Sequence, residues 1–231
     1  MVVIVLAGGL GTRLRSVVSD VPKVMAPVNG KPFLEYVIEH LEKSGIDERD
    51  IILSCGYKSG IIKNYFSEKI ICTTEPEPKG TGGAVAYTLK ELLKKGLFNV
   101  EEDEKFLVVN GDTFLNIPVQ DFLSMHEAKK AMISIAMVKV PDAERYCKLE
   151  IDANNKITNM LGRGHKGVGY ITGGIFAFSA NMVDAFPEIG ALEEDVIEKF
   201  IGLDVVYGFP YEANFIDIGI PEDYERSKTI L

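Results

Sequence analysis

Apolar positions along this chain follow two periods. Val2-Val3-Ile4-Val5, Ile51-Ile52-Leu53-Ser54, Ile70 to Thr74 and Phe106-Leu107-Val108-Val109 are short, largely apolar runs, which predict strands buried on both faces of a parallel sheet. Between them apolar residues recur with helical spacing: Phe33, Leu34, Val37, Ile38 and Leu41 up to Gly45, then Ile61, Ile62, Tyr65 and Phe66, then Val85, Ala86, Leu89, Leu92 and Leu93 up to Gly96. Lys31-Pro32 is expected to open the first of these helices, since proline suits a first helical turn and glycine a stop. Strands alternating with helices predict right-handed βαβ units.

Beyond Pro118 the pattern changes. A helix carrying Val119, Phe122 and Leu123 leads into a long strand from Met132 to Val140, and strand-like pieces follow around Leu149, Ile157 and Tyr170 to Phe178. These predict a mixed sheet of hairpins laid against the first half. A last helix is expected from about Pro221. The fold expected is α/β and Rossmann-like: a mostly parallel central sheet flanked by helices, with a smaller mixed or antiparallel sheet in the second half. The 231 residues suit one domain, with 1–117 as a nucleotide-binding half and 118–231 as a sugar-phosphate-binding half.

Composition narrows the function. A net charge of −9, from 25 basic and 34 acidic residues, argues against nucleic acid as a partner, which calls for a basic stripe, so any attraction for phosphate must be local. Cys55, Cys72 and Cys147 are odd in number and form no C-x-x-C, which indicates neither a disulfide framework nor a zinc site and fits a reducing, cytoplasmic setting. The first apolar run breaks at Gly8 without a basic flank, and no stretch approaches membrane-spanning length, so neither export nor membrane insertion is expected. The acidic run Glu101 to Glu104 is expected to be a solvated connection.

Candidate chemistry centres on Leu6 to Lys23, LAGGLGTRLRSVVSDVPK. Gly8, Gly9 and Gly11 let the backbone turn tightly after the first strand and bring its N–H groups to an anion, while Arg13, Arg15 and Lys23 add cationic side chains. The stretch reads as a site for a nucleotide's phosphates, or else as a plain turn with solvated arginines. The dinucleotide fingerprint G-x-G-x-x-G and the P-loop both fail on spacing, which disfavours a nicotinamide-dependent dehydrogenase. In an open α/β sheet, ligands bind outside the carboxyl ends of the strands, where the Gly8 loop, the Gly- and Pro-rich loop Glu75 to Gly83, and Asn110-Gly111-Asp112 are expected to converge. Asp112 reads equally as a magnesium ligand or as a turn-former, and Asp217, between isoleucines, as a ligand or a buried cap. His40, His126 and His165 are scattered and read as surface or structural residues.

The pattern A-G-G-x-G-T-R-L with P-K about ten residues on resembles the signature of the sugar nucleotidyltransferases. RLRSVVSDVPK and MAPVNGKPFLEY are most similar to the D-glycero-D-manno-heptose 1-phosphate guanylyltransferase branch, and GTGGA, VVNGD and DIGIP extend the likeness over nearly the whole chain. The resemblance implies that a nucleoside triphosphate is held by Leu6, Ala7, Gly8, Gly9, Gly11, Thr12, Gly80, Thr81 and Gly111, with Glu75 reading the base. It implies Arg13 on the pyrophosphate portion, Lys23 at the reacting centre, and Mg2+ on Asp112 and Asp217. Glu150, Arg163, Thr172 and Gly173 would bind the sugar 1-phosphate. A carboxylate at Glu75 can accept from guanine's adjacent ring N–H and amine, so GTP is preferred, and a homodimer is compatible with the family. The alternatives are a uridylyltransferase acting on a hexose or amino-sugar 1-phosphate, and a non-catalytic nucleotide-sugar sensor. The chain departs from the family pattern at Val24, where proline is usual and stiffens the loop, at Cys147 in place of Gly in R-Y-G-x-x-E, at Gly162-Arg163-Gly164 in place of E-K, and at Thr172 in place of Asn.

Overall fold

β1 (Val2–Ala7), β2 (Pro27–Val28), β3 (Lys31–Pro32), α1 (Phe33–Lys43), β4 (Ile51–Cys55), α2 (Ser59–Phe66), β5 (Ile71–Thr74), α3 (Gly80–Lys94) and β6 (Lys105–Asn110) make up the first half. Next come β7 (Thr113–Leu115), α4 (Val119–Ala128), β8 (Ile133–Val140), β9 (Lys148–Ile151), β10 (Ile157–Leu161), β11 (Gly169–Ser179), α5 (Leu192–Asp195), β12 (Val206–Tyr211), β13 (Phe215–Asp217) and α6 (Pro221–Ile230). This computed structural model describes residues 1–66, 69–101 and 104–231. Glu102 and Asp103 of the expected acidic connection lie outside them.

Among the described residues, nine strands form one sheet, in the order β10-β9-β11-β6-β1-β4-β5, with β8 branching from β11 and β12 from β8. β1 lies parallel between β4 and β6, and β4 is parallel to β5. This is the parallel half that the apolar runs predict. The second-half strands are mixed and antiparallel, as expected, and they are hydrogen-bonded onto the first half through β11, which pairs antiparallel with β6. Two-stranded ladders, β2 with β3 and β7 with β13, stand apart from the main sheet.

Burial on both faces explains the apolar runs. Val3 and Val5 of β1 pack with α1 and α4 residues such as Leu34 and Phe122, while Val2 and Ile4 pack on the other face with Val85, Leu89 and Leu92 of α3. Phe106 and Phe178 stack across the joined strands with ring centroids 5.4 Å apart. Residues alternate faces along a strand, so one strand feeds two cores.

Two expectations are corrected. Lys31 and Pro32 do not begin a helix; they pair with Val28 and Pro27, and α1 starts at Phe33. Asn29 and Gly30 have φ of 48° and 92°, the two positive values that a tight hairpin turn demands and that Asn-Gly supplies. Likewise Gly80 to Gly83 are not loop but the first turn of α3. Their glycines make room for a neighbouring backbone. A Cβ on Gly80 would lie 2.4 Å from the Gly190 carbonyl oxygen, and one on Gly83 2.6 Å from that of Glu188.

Candidate active site

The carboxyl ends of the parallel strands converge as the topology requires. At the end of β1, Leu6 O accepts from Gly111 N–H at 2.9 Å, so Leu6, Ala7 and Gly8 run beside Asn110-Gly111-Asp112. Glu75, just past β5, donates its N–H to Cys55 O at 3.1 Å and lays its carboxylate on Gly8 and Gly56. A Cβ on Gly56 would meet Glu75 Oε1 at 2.9 Å, and one on Gly8 at 3.1 Å. Glu75 Oε2 is buried and has no hydrogen-bond partner among the described residues. Burial, opposed in part by Lys79, pushes the Glu75 carboxyl above the usual range.

The signature loop leaves β1 through Gly11, whose φ of +58° places its missing side chain against Lys23: a Cβ there would sit 2.8 Å from Lys23 Cβ. Leu14, buried, anchors the following turn, and Leu14 N–H donates to Gly11 O at 3.0 Å. The proline missing at Val24 is not needed for the second turn. Met25 N–H donates to Pro22 O at 2.8 Å, Ala26 N–H to Lys23 O at 3.0 Å, and Val24 is buried. Gly9 has open space around it, and Thr12 is exposed at the start of the turn. Arg13 faces the cleft described next, whereas Arg15 lies over the Tyr57 ring, 5.2 Å from its centroid.

A cleft of about 260 Å³ is lined by Arg13, Lys23, Asp112, Asp217, Arg145 and Arg163, with Thr81, Thr172, Cys147 and Glu193 among its other walls. Lys23 Nζ is ion-paired with Asp112. The β7–β13 ladder brings in Asp217, which pairs with Thr113. Burial alone would raise the Asp112 carboxyl, but the Lys23 charge and hydrogen bond hold it below the usual carboxylate range. Burial and the neighbouring Asp112 charge push Asp217 the other way. Burial opposes the Lys23 ammonium, yet the two aspartates outweigh it and keep the lysine above its ordinary value. Lys23 and the more distant Arg145 thus face two carboxylates whose hard oxygen donors suit a divalent cation.

Arg145, which opens the Arg145 to Glu150 stretch that the resemblance assigns to the sugar phosphate, stands beside this pair. Its guanidinium donates to Asp223 Oδ2 at 2.6 Å and to the Tyr146 hydroxyl at 3.0 Å, and lies 3.9 Å from Asp217 Oδ2. Only its place in the R-Y-x-x-x-E stretch hinted at it.

The other predicted residues divide. Thr81, Arg163 and Thr172 line the cleft. Thr81 Oγ1 accepts from Leu192 N–H at 2.8 Å, and Thr172 Oγ1 donates to Glu193 Oε1 at 3.0 Å. Gly173 instead faces the core, where a Cβ would fall 2.3 Å from Leu115 Cδ2. Glu150 is exposed on the outer β9–β10 hairpin, accepts from Asn159 Nδ2 at 3.4 Å, and does not line the cleft. None of the three histidines lines it either. Cys147 Sγ and one carboxylate oxygen each from Glu193 and Glu194 lie within 4.8 Å of one another. Burial first, and then Glu193, push the Cys147 thiol up to about 12. A thiol must lose its proton to bind a metal, so this trio is a poor cation site. Among the described residues no helix is long and apolar enough to cross a membrane.

Comparison with known proteins shows the family. A family model described as nucleotidyl transferase matches residues 2–228. The chain is 36% identical over 235 residues to the D-glycero-alpha-D-manno-heptose 1-phosphate guanylyltransferase of Aneurinibacillus thermoaerophilus, covering 99% of this chain and 97% of that protein. It is 38% identical over 231 residues to the protein of the same name from Campylobacter jejuni, covering 97% of each. Among solved structures, HddC from Yersinia pseudotuberculosis complexed with GMP-PN is similar at a TM-score of 0.82 and 36% identity, over 98% of this chain and 97% of that one. With a family match across nearly its full length and relatives of this identity covered almost end to end, the chain belongs to the nucleotidyl transferase family.

Proposed function

We propose that this chain is a sugar-1-phosphate guanylyltransferase: it transfers GMP from GTP to D-glycero-D-manno-heptose 1-phosphate and releases GDP-heptose and pyrophosphate. The observation that carries this reading is the assembly of Arg13, Lys23, Asp112 and Asp217 around one cleft, in a chain whose full-length relatives are named for that transfer. An oxygen of the sugar phosphate attacks the α-phosphorus of GTP, a new P–O bond forms, and the bond to the β-phosphate oxygen breaks with pyrophosphate leaving.

The attacking oxygen is already an anion, so the cleft needs no general base. Its work is to bring two repelling anions into line and to neutralise the charge that builds up. Arg13 offers a fork of donors to the departing pyrophosphate, and Lys23 a point charge to phosphate oxygens. Asp112 and Asp217 would hold magnesium, which when bound supplies positive charge to the phosphate oxygens. The unpartnered Glu75 Oε2 and its neighbour Oε1 would accept from guanine's ring N–H and amine. Pyrophosphate release measured with each of four nucleoside triphosphates against a panel of sugar 1-phosphates tests the reading. Highest turnover with GTP and the heptose phosphate is expected; a clear preference for UTP rejects it, and no turnover with any pair favours a nucleotide-sugar sensor.

A further inference from the structure

The cleft has two ends of opposite character. Arg13, Lys23, Asp112, Asp217 and Arg145 form the end suited to phosphates. At the other, Thr172, Cys147, Glu193 and Glu194 present hydrogen-bonding groups, and the two carboxylates outnumber the one cation there, Arg163, whose charge reaches Cys147. A phosphate would be repelled there, so a sugar phosphate entering the cleft must point its phosphate at the first end and its hydroxyls at the second.

Glu193 is the carboxylate built for that contact. It sits on the four-residue turn α5, which is fastened on both sides: Leu192 N–H donates to Thr81 Oγ1 at 2.8 Å, and Asp195 Oδ2 accepts from Ala191 N–H at 2.7 Å. Its hydrogen-bond partners are a hydroxyl and a thiol rather than a cation: Thr172 donates to Glu193 Oε1 at 3.0 Å, and the Cys147 thiol lies against the same carboxylate. Thr172 pairs with Met137 as the last regular position before the β11–β8 register shifts ahead of Phe176. A carboxylate fixed in this way keeps acceptor sites for ligand hydroxyls.

The geometry points to Glu193 as the residue that reads the hydroxyls of the acceptor's polyol, with Thr172 as its positioning residue. The inference rests on the guanylyltransferase reading and deepens it. Glu150, exposed on the outer hairpin, does not line the cleft.

The test uses the full-length chain, with KM measured separately for heptose 1-phosphate, for mannose 1-phosphate and for GTP. Glu193→Gln keeps the shape and removes the charge. It is expected to raise KM for heptose 1-phosphate by about 10- to 100-fold, the loss typical of a hydrogen bond to a charged acceptor, to narrow the preference over mannose 1-phosphate, and to leave KM for GTP unchanged. Thr172→Val should move the same constants in the same direction by less, and Thr172→Ser should restore them. An unchanged sugar-phosphate KM in both Glu193→Gln and Thr172→Val overturns the inference alone. So does recovery of Glu193→Gln on raising magnesium, which would make the cluster a cation site. A wild-type chain that uses no sugar 1-phosphate overturns this inference and the functional reading together.

Discussion

Asp217 and Thr113 face each other across the antiparallel β7–β13 ladder, and Asp112 immediately precedes Thr113. Ile218 N–H donates to Asp112 O at 3.1 Å, so the two aspartates, distant in sequence, are locked together by backbone hydrogen bonds. Lys23 is paired with only one of them. The two should therefore respond differently to neutral replacement. Asp112→Asn removes the ion-pair partner of Lys23, whose ammonium keeps only the more distant Asp217, and is expected to lower stability by about 2 kcal/mol, as loss of a charged hydrogen bond does in a half-buried pair. Asp217→Asn relieves a carboxylate that burial and Asp112 disfavour but gives up its attraction to Lys23 and Arg145, and should cost less metal-free stability than Asp112→Asn. Both should reduce turnover by roughly 100-fold or more if they hold magnesium for charge neutralisation. Thermal melts in a chelator, alongside steady-state rates with magnesium, read both effects, and equal destabilisation by the two variants would refute the asymmetry.

Gly80 combines a φ of +77° with a would-be Cβ 2.4 Å from the Gly190 carbonyl oxygen. Gly80→Ala should therefore cost about 2–4 kcal/mol, from a strained backbone plus a clash against main chain. Loosening the α3 entry also disturbs the Thr81 contact to Leu192, so KM for substrate should rise. Gly162→Ala is the control, because no atom lies within 4 Å of its Cβ position and its φ is ordinary. Urea unfolding midpoints of the two variants should separate clearly.

These glycines show where sequence reading succeeds and where it stops. The runs at Val2, Ile51 and Phe106 were legible because strands buried on both faces carry apolar residues at every position. Asp112 and Asp217 were legible through their motifs, although their adjacency comes from a ladder that no local pattern announces. Gly80 to Gly83 misled, because glycine marks a loop by propensity while here it admits a tertiary backbone contact. Asn29-Gly30 carried a hairpin signal that the neighbouring Pro32 overshadowed. Glu150 could have been placed from period-two alternation, since Leu149 is buried and the next residue must face outward. Glu193 sits in no glycine motif, and only the fold brings it to Thr172.

His126 is 3% exposed, and its Nδ1 lies 2.8 Å from Ser134 Oγ. Burial first, and then the Lys105 charge, push its pKa down to about 4, from 6.5 in the unfolded chain. A histidine depressed on folding favours the neutral form, so its contribution is fully present above about pH 6.5 and is lost as pH falls toward 4. The loss approaches roughly 3 kcal/mol at the lower end, at about 1.4 kcal/mol per pH unit. Denaturant unfolding of wild type and His126→Gln at pH 7 and pH 4.5 isolates this from titrating carboxylates: wild type should lose more stability than the variant over that interval. Parallel losses would mean that the imidazole is not held neutral.

On the proposed reading, base choice turns on Glu75. Its carboxylate rests on Gly8 and Gly56 with Oε2 buried and unpartnered, an acceptor that a guanine N–H can satisfy. Glu75→Gln replaces one acceptor oxygen with a donor that confronts the guanine amine, and KM for GTP should rise by about 10- to 100-fold. Turnover at saturating GTP should change little, because the base is equally bound in ground and transition states. UTP offers one ring N–H and can be met by the remaining amide oxygen, so its KM should change less and the GTP preference should shrink. Burial also holds the Glu75 carboxyl above the usual range, and guanine needs it ionised. GTP affinity of the wild type should therefore decline on acidification sooner than an ordinary glutamate would dictate, and the decline should be absent in Glu75→Gln. A GTP KM that is unmoved by the substitution and flat with pH would assign base reading to other residues.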